Sequence, residues 1–294
     1  MTFRHDERAR ANARRAYQAF EPLHLVAYFG PQVGEVAKAE GLGFYASYVG
    51  FRGAPLGPAS PAVITSSFYN WNPAAVEKGW QDALSSHSVE QLLDAREQIA
   101  DKALTVAFGN RRGHDALPRL VDRMTELLAR GDRAGRPLGS ANLGLSRDLE
   151  PHVGLWQAFT TWREWRGDGH IAALVVNGLS PIEALVLHES EHPDPAAKVS
   201  GMGRAQTQKS RAWSDEQWGA AADALRTRGL LEAGAERLTE AGAALQRKVE
   251  DETDDAAAGV WAGVDDADEI FAAARPYVKA VIDAGLLPGT KPKG

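Results

Sequence analysis

The segment TTWREWRGDGHIAALV, residues 160–175, sets acidic, basic and imidazole side chains close together and then becomes apolar. Asp168, flanked by two glycines, could be the N-cap of a short helix that begins near His170. Alternatively, Asp168 could orient His170, whose imidazole titrates near neutrality and suits proton transfer. We expect a helix start here, with His170 also serving a pocket and with ligand-flanking side chains on Glu164 and Arg166.

Helical periodicity and helix-start signals extend on both sides of this segment. Ser88 with Gln91, and Ser180 with Glu183, have the spacing of a capping box. Pro22 predicts a kink or a break near Glu21 in the first helix. The patterns predict helices over 6–29, 31–41, 73–85, 88–108, 117–130, 170–177, 214–231, 240–252 and 267–284, a β-ribbon over 232–242, and a glycine-rich linker over 131–145.

Composition and charge limit the classes of protein. The chain has 294 residues, no cysteine, no apolar run long enough for a membrane span and no secretory signal at its start. We therefore expect a cytoplasmic protein without a membrane partner.

The two halves of the chain differ in charge. Residues 1–150 carry 18 Lys and Arg against 17 Asp and Glu, whereas residues 151–294 carry 15 Lys and Arg against 22 Asp and Glu. Non-specific DNA affinity comes from basic residues, so the acidic second half disfavours DNA as a partner.

Residues 165–255 resemble the winged-helix domain of MarR-type regulators, on Leu225, Arg228-Gly229-Leu230 and the run LTEAG at 238–242. Four further segments are distinctive, namely FEPLHLVAYFGP (20–31), RGAPLGP (52–58), SFYNWNP (67–73) and WREWRGDGHIAAL (162–174). Through them the whole chain is also similar to an actinobacterial helix-turn-helix-like family of unknown function. Both resemblances imply an architecture and bring no activity with them.

The predicted fold class is therefore mainly α. A helical ligand-binding domain, residues 1–135, is expected to pack on a winged-helix-like domain with a small β-ribbon and C-terminal helices, residues 146–294. Two features depart from a DNA-reading winged helix. Residues 189–213 replace the short turn of a helix-turn-helix, and the third helix begins with Asp215 and Glu216, which repel phosphates.

Three further clusters could bind a ligand. Glu21 and His24 share one helical face in an apolar segment beside Tyr28, where they could act as general acid and base. Arg52, between Phe51 and Gly53, suits a carboxylate or a phosphate. The third cluster is a polar and aromatic set suited to lining a pocket, namely Tyr69, Asn70 and Trp71.

Signatures of metal and phosphate sites are weak. His188 and His192 are four residues apart, but Pro193 ends their helix and acidic residues surround them. HExxH, phosphate-loop and nucleophile-elbow motifs are absent from the sequence. The sequence identifies no cofactor, and the alternative is a haem or metal site that uses His24 or His170.

Two functions follow from these residues. The first is a small-molecule-binding protein, or an enzyme, whose pocket between the two halves contains both His24 and His170 and whose degenerate winged helix does not read DNA. The second is a MarR-like transcriptional regulator with an N-terminal sensor domain, for which the local basic residues Arg204, Lys209 and Arg211 would contact DNA. A regulator of that type is expected to be a homodimer, because its half-sites are palindromic.

Overall fold

The computed structural model describes residues 3–196 and 202–292; these are mainly helical and form no β-strand, which confirms the predicted fold class at this level. The first half contains α1 (Glu7–Phe29), α2 (Pro31–Ala39), α3 (Phe44–Gly53), α4 (Pro61–Ser67), α5 (Pro73–Ser86), α6 (Val89–Phe108), α7 (Ala116–Ala129) and α8 (Pro137–Leu143). The second half contains α9 (Pro151–Val176), α10 (Pro181–Glu189), α11 (Arg204–Ser210), α12 (Asp215–Thr227), α13 (Glu240–Ala257) and α14 (Ala267–Asp283).

Helix α9 is the centre of the fold and runs without interruption through residues 160–175, so the predicted helix start near His170 is wrong. It packs against α1, α6, α7, α8 and α13. A helix enclosed in this way buries residues around its whole circumference, as α9 does. A Cβ at its internal Gly169 would lie 3.1 Å from Cβ of Ala256 and would displace the Arg136 guanidinium, which donates to the carbonyls of Trp165 and Ala256.

Asp168 does bind helix amides, but those of a different helix. Its carboxylate accepts hydrogen bonds from the backbone N–H groups of Gly139, at 2.8 Å, and Leu138, at 3.4 Å, in the first turn of α8. A carboxylate is stabilising at a helix N-terminus. Burial raises the pKa of Asp168 to about 7, while the two amides act in the opposite direction. The segment predicted to be a linker therefore contains a helix that is anchored on α9.

The local helix-start signals are confirmed where they involve capping boxes. Ser88 with Gln91 and Ser180 with Glu183 form them, and Ser214 forms a third one at α12. Of the kink or break predicted near Glu21, the break is absent, since α1 continues through Pro22, and the kink stays a prediction. Helix α1 packs against α9, α13 and α14 along its length, and we attribute its continuity to this packing.

Buried apolar side chains form two clusters. The larger one takes residues from 9–165 and from 257–286, so the C-terminal helix α14 packs with the first half of the chain. The smaller one takes residues from 173–249 and includes Trp218 and Leu225 of α12. These clusters group the chain differently from the predicted domains 1–135 and 146–294, and that division stays a prediction.

The predicted β-ribbon and the winged-helix domain that depends on it are not supported. In the described ranges the segment 232–242 forms no strand, and the chain has only two isolated bridges, Leu231 with Leu238 and Glu191 with Arg237. Across the turn, where Gly234 has a φ of 75°, the N–H of Glu232 donates to the carbonyl of Arg237 and the N–H of Thr239 donates to that of Leu230, so the antiparallel pairing is limited to a single bridge. The N–H of Leu238 and the carbonyl of Glu236 instead pair with the backbone of Glu191.

No single helix within residues 3–196 and 202–292 is long and apolar enough to cross a membrane. Helices α9 and α10 reach the length and apolar composition of a membrane span only when they are taken together, and a bend of 99° separates them.

Candidate functional site

A cavity of about 310 Å³ lies between side chains from the two halves of the chain, and we call it the central cavity. Helices α1, α3, α9, α10 and α13, the residues between α4 and α5, and the end of α11 supply its wall. Its apolar side includes Leu174, Leu179, Leu185, Leu187 and Val249. Its polar side includes Tyr17, Arg52, Tyr69, Asn70, Arg163, Arg166, His170, His188, Glu189, Arg211, Gln246 and Glu250.

Arg52 forms a buried ion pair with Glu164 that joins α3 to α9. Nε and Nη2 of Arg52 donate to the two carboxylate oxygens of Glu164 at 2.7 and 2.8 Å, and Arg52 also lies over the ring of Phe68. The Glu164 side chain is 1% exposed. Burial alone would raise the pKa of Glu164, but Arg52 and Arg163 hold it well below its usual range. Both members of the pair are therefore charged.

Arg166 belongs to a second ionic group, which joins α9 to α13. Its Nη2 donates to Asp254 at 3.0 Å and to Glu250 at 3.1 Å, and Arg14 of α1 pairs with the same two carboxylates. The Arg166 guanidinium also lies 4.1 Å from the ring centroid of Tyr17. Two arginines and two carboxylates balance in charge, so this group fixes the position of Arg166 in the cavity wall.

His170 is held in one tautomer by its neighbour on α13. Thr253 uses its only hydroxyl proton to donate to the carbonyl of Val249 at 2.7 Å, so it accepts a hydrogen bond from Nδ1–H of His170 at 2.9 Å. Burial lowers the pKa of His170 to about 4. At neutral pH the ring is uncharged, and Nε2 carries the lone pair that can accept a hydrogen bond or a proton.

Arg211, at the end of α11, has no comparable partner among residues 3–196 and 202–292. Its guanidinium lies 4.3 Å from the centroid of Trp71, which in turn stacks on Tyr48. Nε and Nη1 are buried and have no hydrogen-bond partner within the described ranges. Its backbone carbonyl accepts a hydrogen bond from the N–H of Asn72 at 3.0 Å, which anchors α11 on the first half. Burial lowers the pKa of Arg211, and the charges of Arg52 and Arg163 lower it further.

The structure brings half of the predicted site residues together. Arg52, Tyr69, Asn70, Arg166 and His170 line the central cavity, although they are up to 118 positions apart in the sequence. Five others are not part of its wall, namely Glu21, His24, Tyr28, Glu164 and Asp168. The expectation that His24 and His170 share one cavity is therefore not met, and a role for any of these residues in chemistry stays a prediction.

The excluded residues lie in the core around α1 and α9. Nδ1 of His24 is 3.3 Å from the hydroxyl of Thr160, and burial lowers the pKa of His24 well below its usual value. The Tyr28 hydroxyl is buried without a hydrogen-bond partner in the described part of the chain, and burial raises its pKa to about 12. Glu21 lies 3.5 Å from Nε of Arg163. Glu164 remains connected to the cavity through Arg52.

The described residues contain no group of three His, Asp or Glu side chains that could hold a metal ion. Of the two histidines considered for chelation, His188 lines the central cavity. His192 instead accepts a hydrogen bond at Nδ1 from the N–H of Asp194, at 3.0 Å. His188 therefore lies in the wall of the central cavity and His192 lies outside it.

Arg163 and Arg211 are the most informative wall residues that the sequence did not identify as ligand-binding. Arg163 stands inside the segment WREW, whose pattern of aromatic and charged residues is that of a buried helix with polar contacts. The sequence predicts Arg211 to belong to a basic surface cluster, because Trp71, which it contacts, is 140 positions away in the chain. The motif SFYNWNP indicates where the wall lies, since it supplies Tyr69, Asn70 and Trp71, and Trp71 is the ring that Arg211 contacts.

The surface predicted to meet DNA carries little positive charge. The exposed side of α12 presents Asp215, Glu216 and Asp223, and the two arginines at its C-terminal end, Arg226 and Arg228, pair with Asp223 and Glu183. Arg204 pairs with Glu236 at 2.5 Å and with Asp215 at 3.5 Å. Arg211 lines the central cavity, so Lys209 is the one exposed member of the predicted basic cluster that forms no ion pair in the described ranges.

A protein-family model described as a helix-turn-helix family matches residues 13–288. No curated protein and no solved structure matches the chain. The match confirms the helix-turn-helix-like character expected from the whole-chain similarity. It does not extend to an actinobacterial source or to a MarR type, and both stay predictions.

Proposed function

The chain belongs to this helix-turn-helix family, and we propose that this member binds a small molecule in the central cavity and does not read DNA. The observation that carries the proposal is the cavity itself. It lies between the two halves, it has a volume at the lower end of the range of about 300–1,000 Å³ usual for ligand sites, and it combines apolar walls with a few positioned polar groups.

Three polar groups in the wall have positions suited to orienting a ligand. Nε2 of His170 offers an acceptor, because Thr253 occupies Nδ1. The side chain of Asn70 adds a donor and an acceptor next to the Tyr69 ring. The Tyr69 hydroxyl donates to the carbonyl of Leu179 at 2.5 Å, so its ring is held against the cavity by the connection between α9 and α10.

Thermal shift with a metabolite library tests the proposal. We expect at least one compound to raise the Tm of the full chain by about 5 °C or more at roughly 100 times its Kd. The shift should be lost in His170→Ala and in Asn70→Ala, which remove groups from the wall. His114→Ala, in an exposed loop outside the cavity, should respond as the natural protein does. A compound that stabilises all four proteins equally would place the ligand elsewhere and contradict the proposal.

The family match favours DNA binding as a second candidate function. Against it stand the acidic exposed side of α12 and the ion pairs of Arg204, because phosphate neutralisation needs free lysine and arginine. In a mobility-shift assay at low salt, with DNA from upstream of its own gene, we expect no retarded band. Retardation that weakens steeply as salt rises would support the second candidate instead.

A further inference from the structure

Three of the four arginines in the wall of the central cavity have a carboxylate partner, and in the described ranges the fourth has none. Arg52 pairs with Glu164, Arg163 with Glu21, and Arg166 with Asp254 and Glu250. Arg211 has no ion pair in the described ranges, and its buried Nε and Nη1 have no acceptor. Leaving such donors unsatisfied destabilises a folded protein, more so when the group is charged.

The wall also contains a carboxylate near Arg211, that of Glu189, but both of its oxygens already accept hydrogen bonds. One of its oxygens accepts a hydrogen bond from the hydroxyl of Thr207, and the other accepts from the N–H of Gly203, both at 2.8 Å. These bonds hold the start of α11 against α10. The electrostatic neighbours of Arg211 also include the guanidinium groups of Arg52 and Arg163, which repel it.

We propose that the central cavity binds a small organic anion whose carboxylate or phosphate group pairs with the Arg211 guanidinium and whose apolar body contacts Leu174, Leu179 and Leu185. This inference rests on the proposed function and names the chemical class of its ligand. An oxyanion in the cavity would balance the charge of Arg211, which has no ion pair in the described ranges, and would reduce the repulsion among the guanidinium groups. The volume of about 310 Å³ restricts the ligand to a small one.

The position of Arg211 is prepared for this contact. Stacking on Trp71 restricts the orientation of the guanidinium plane, and the hydrogen bond from Asn72 to its carbonyl holds the backbone. A donor that is held before binding loses less conformational freedom when the ligand arrives. An arginine that served only to solubilise the surface would need neither constraint.

Calorimetric titration of the full chain tests the inference with defined probes. The anions are benzoate, phenylacetate, hexanoate and phenyl phosphate, and the neutral counterparts are benzamide, phenylacetamide and hexanamide. We expect at least one anion to bind, with a Kd about tenfold or more below that of its amide. Binding by the carboxylates and not by phenyl phosphate would identify the carboxylate as the group bound, and the reverse result would identify phosphate.

Substitutions locate the anion. Arg211→Gln should raise the Kd about tenfold or more, and Arg211→Lys should retain part of the affinity. Lys209→Gln removes the same charge from the exposed side of the same helix and should bind as the natural protein does. Circular dichroism of each variant checks that it is folded.

Two results would overturn the inference. The first is that none of the four anions binds at millimolar concentration, or that amides bind as tightly as acids. The second is unchanged anion affinity in a folded Arg211→Gln. Either result leaves the proposed function standing if a neutral library compound still loses its thermal shift in His170→Ala. If no compound shifts the Tm, the proposed function itself fails.

Discussion

Glu164→Gln should lower the free energy of unfolding by about 3–5 kcal/mol, the cost usual when one member of a buried ion pair is removed. The substitution leaves the Arg52 guanidinium charged and 8% exposed among Tyr48, Phe68 and Tyr28, with no carboxylate to balance it. Urea denaturation followed by circular dichroism measures the loss, as a shift of the midpoint at unchanged slope.

Two comparisons make this result specific to burial. Glu126→Gln breaks an ion pair with Arg123 in which the glutamate is 68% exposed, and it should cost less than about 1 kcal/mol. The double substitution Arg52→Met and Glu164→Leu removes both charges and should recover most of the loss. A cost for Glu164→Gln no larger than that for Glu126→Gln would contradict the role given to this pair.

The same pair predicts a dependence of stability on pH. The pKa of Glu164 is lowered in the folded protein, so its contribution is fully present above the unfolded value of about 4.3 and is lost as the pH falls below it. Between pH 7 and pH 3, Glu164→Gln should therefore lose less stability than the natural protein. Midpoints of urea denaturation measured at both pH values give this difference.

Gly139→Ala should destabilise the protein by about 3 kcal/mol or more, although alanine is the better helix former. Helix α8 crosses α9 at this residue, and a Cβ would lie 2.5 Å from Cα and 2.7 Å from Cβ of Trp165. Backbone atoms of a central helix cannot move aside as the end of a flexible side chain can. The N–H of Gly139, which binds Asp168, would be displaced as well.

The matched control for this prediction is Gly34→Ala. Gly34 lies within α2, and a Cβ there would have no atom within 4 Å. Its substitution should stabilise the protein by about 0.5–1 kcal/mol, because it removes only the conformational cost of a helical glycine. Thermal or urea unfolding of both variants should give opposite signs. Equal effects at the two positions would show that the approach of α8 to α9 is not tight.

Local signals in the sequence predicted several helix starts correctly. The capping boxes at Ser88 and Ser180 form as expected, because a cap depends on residues three positions apart and on little else. The polar and aromatic set at 69–71 and the residues Arg166 and His170 were identified as site residues because their polarity contrasts with their apolar surroundings. These judgements required no knowledge of which helices meet.

The sequence was a poor guide wherever distant segments act on one another. Gly167, Asp168 and Gly169 have the local character of a helix start, and they lie inside α9 because α8 and α13 pack there and Asp168 binds the amides of α8. Similarly, the basic residue Arg211 has the character of a DNA contact until its stacking on Trp71 is known. His24 and His170, predicted to meet, are directed to different surroundings by Thr160 and Thr253.

Residue order alone was therefore enough to establish a mainly helical chain, the starts of several helices and the polar residues worth attention, since these depend on neighbours within one or two turns. Which of those polar residues face a common space, which are neutralised by partners and which guanidinium is left over depend on contacts across more than a hundred positions. Such contacts are set by how helices bury their faces against each other, and one sequence alone does not specify which helices pack together.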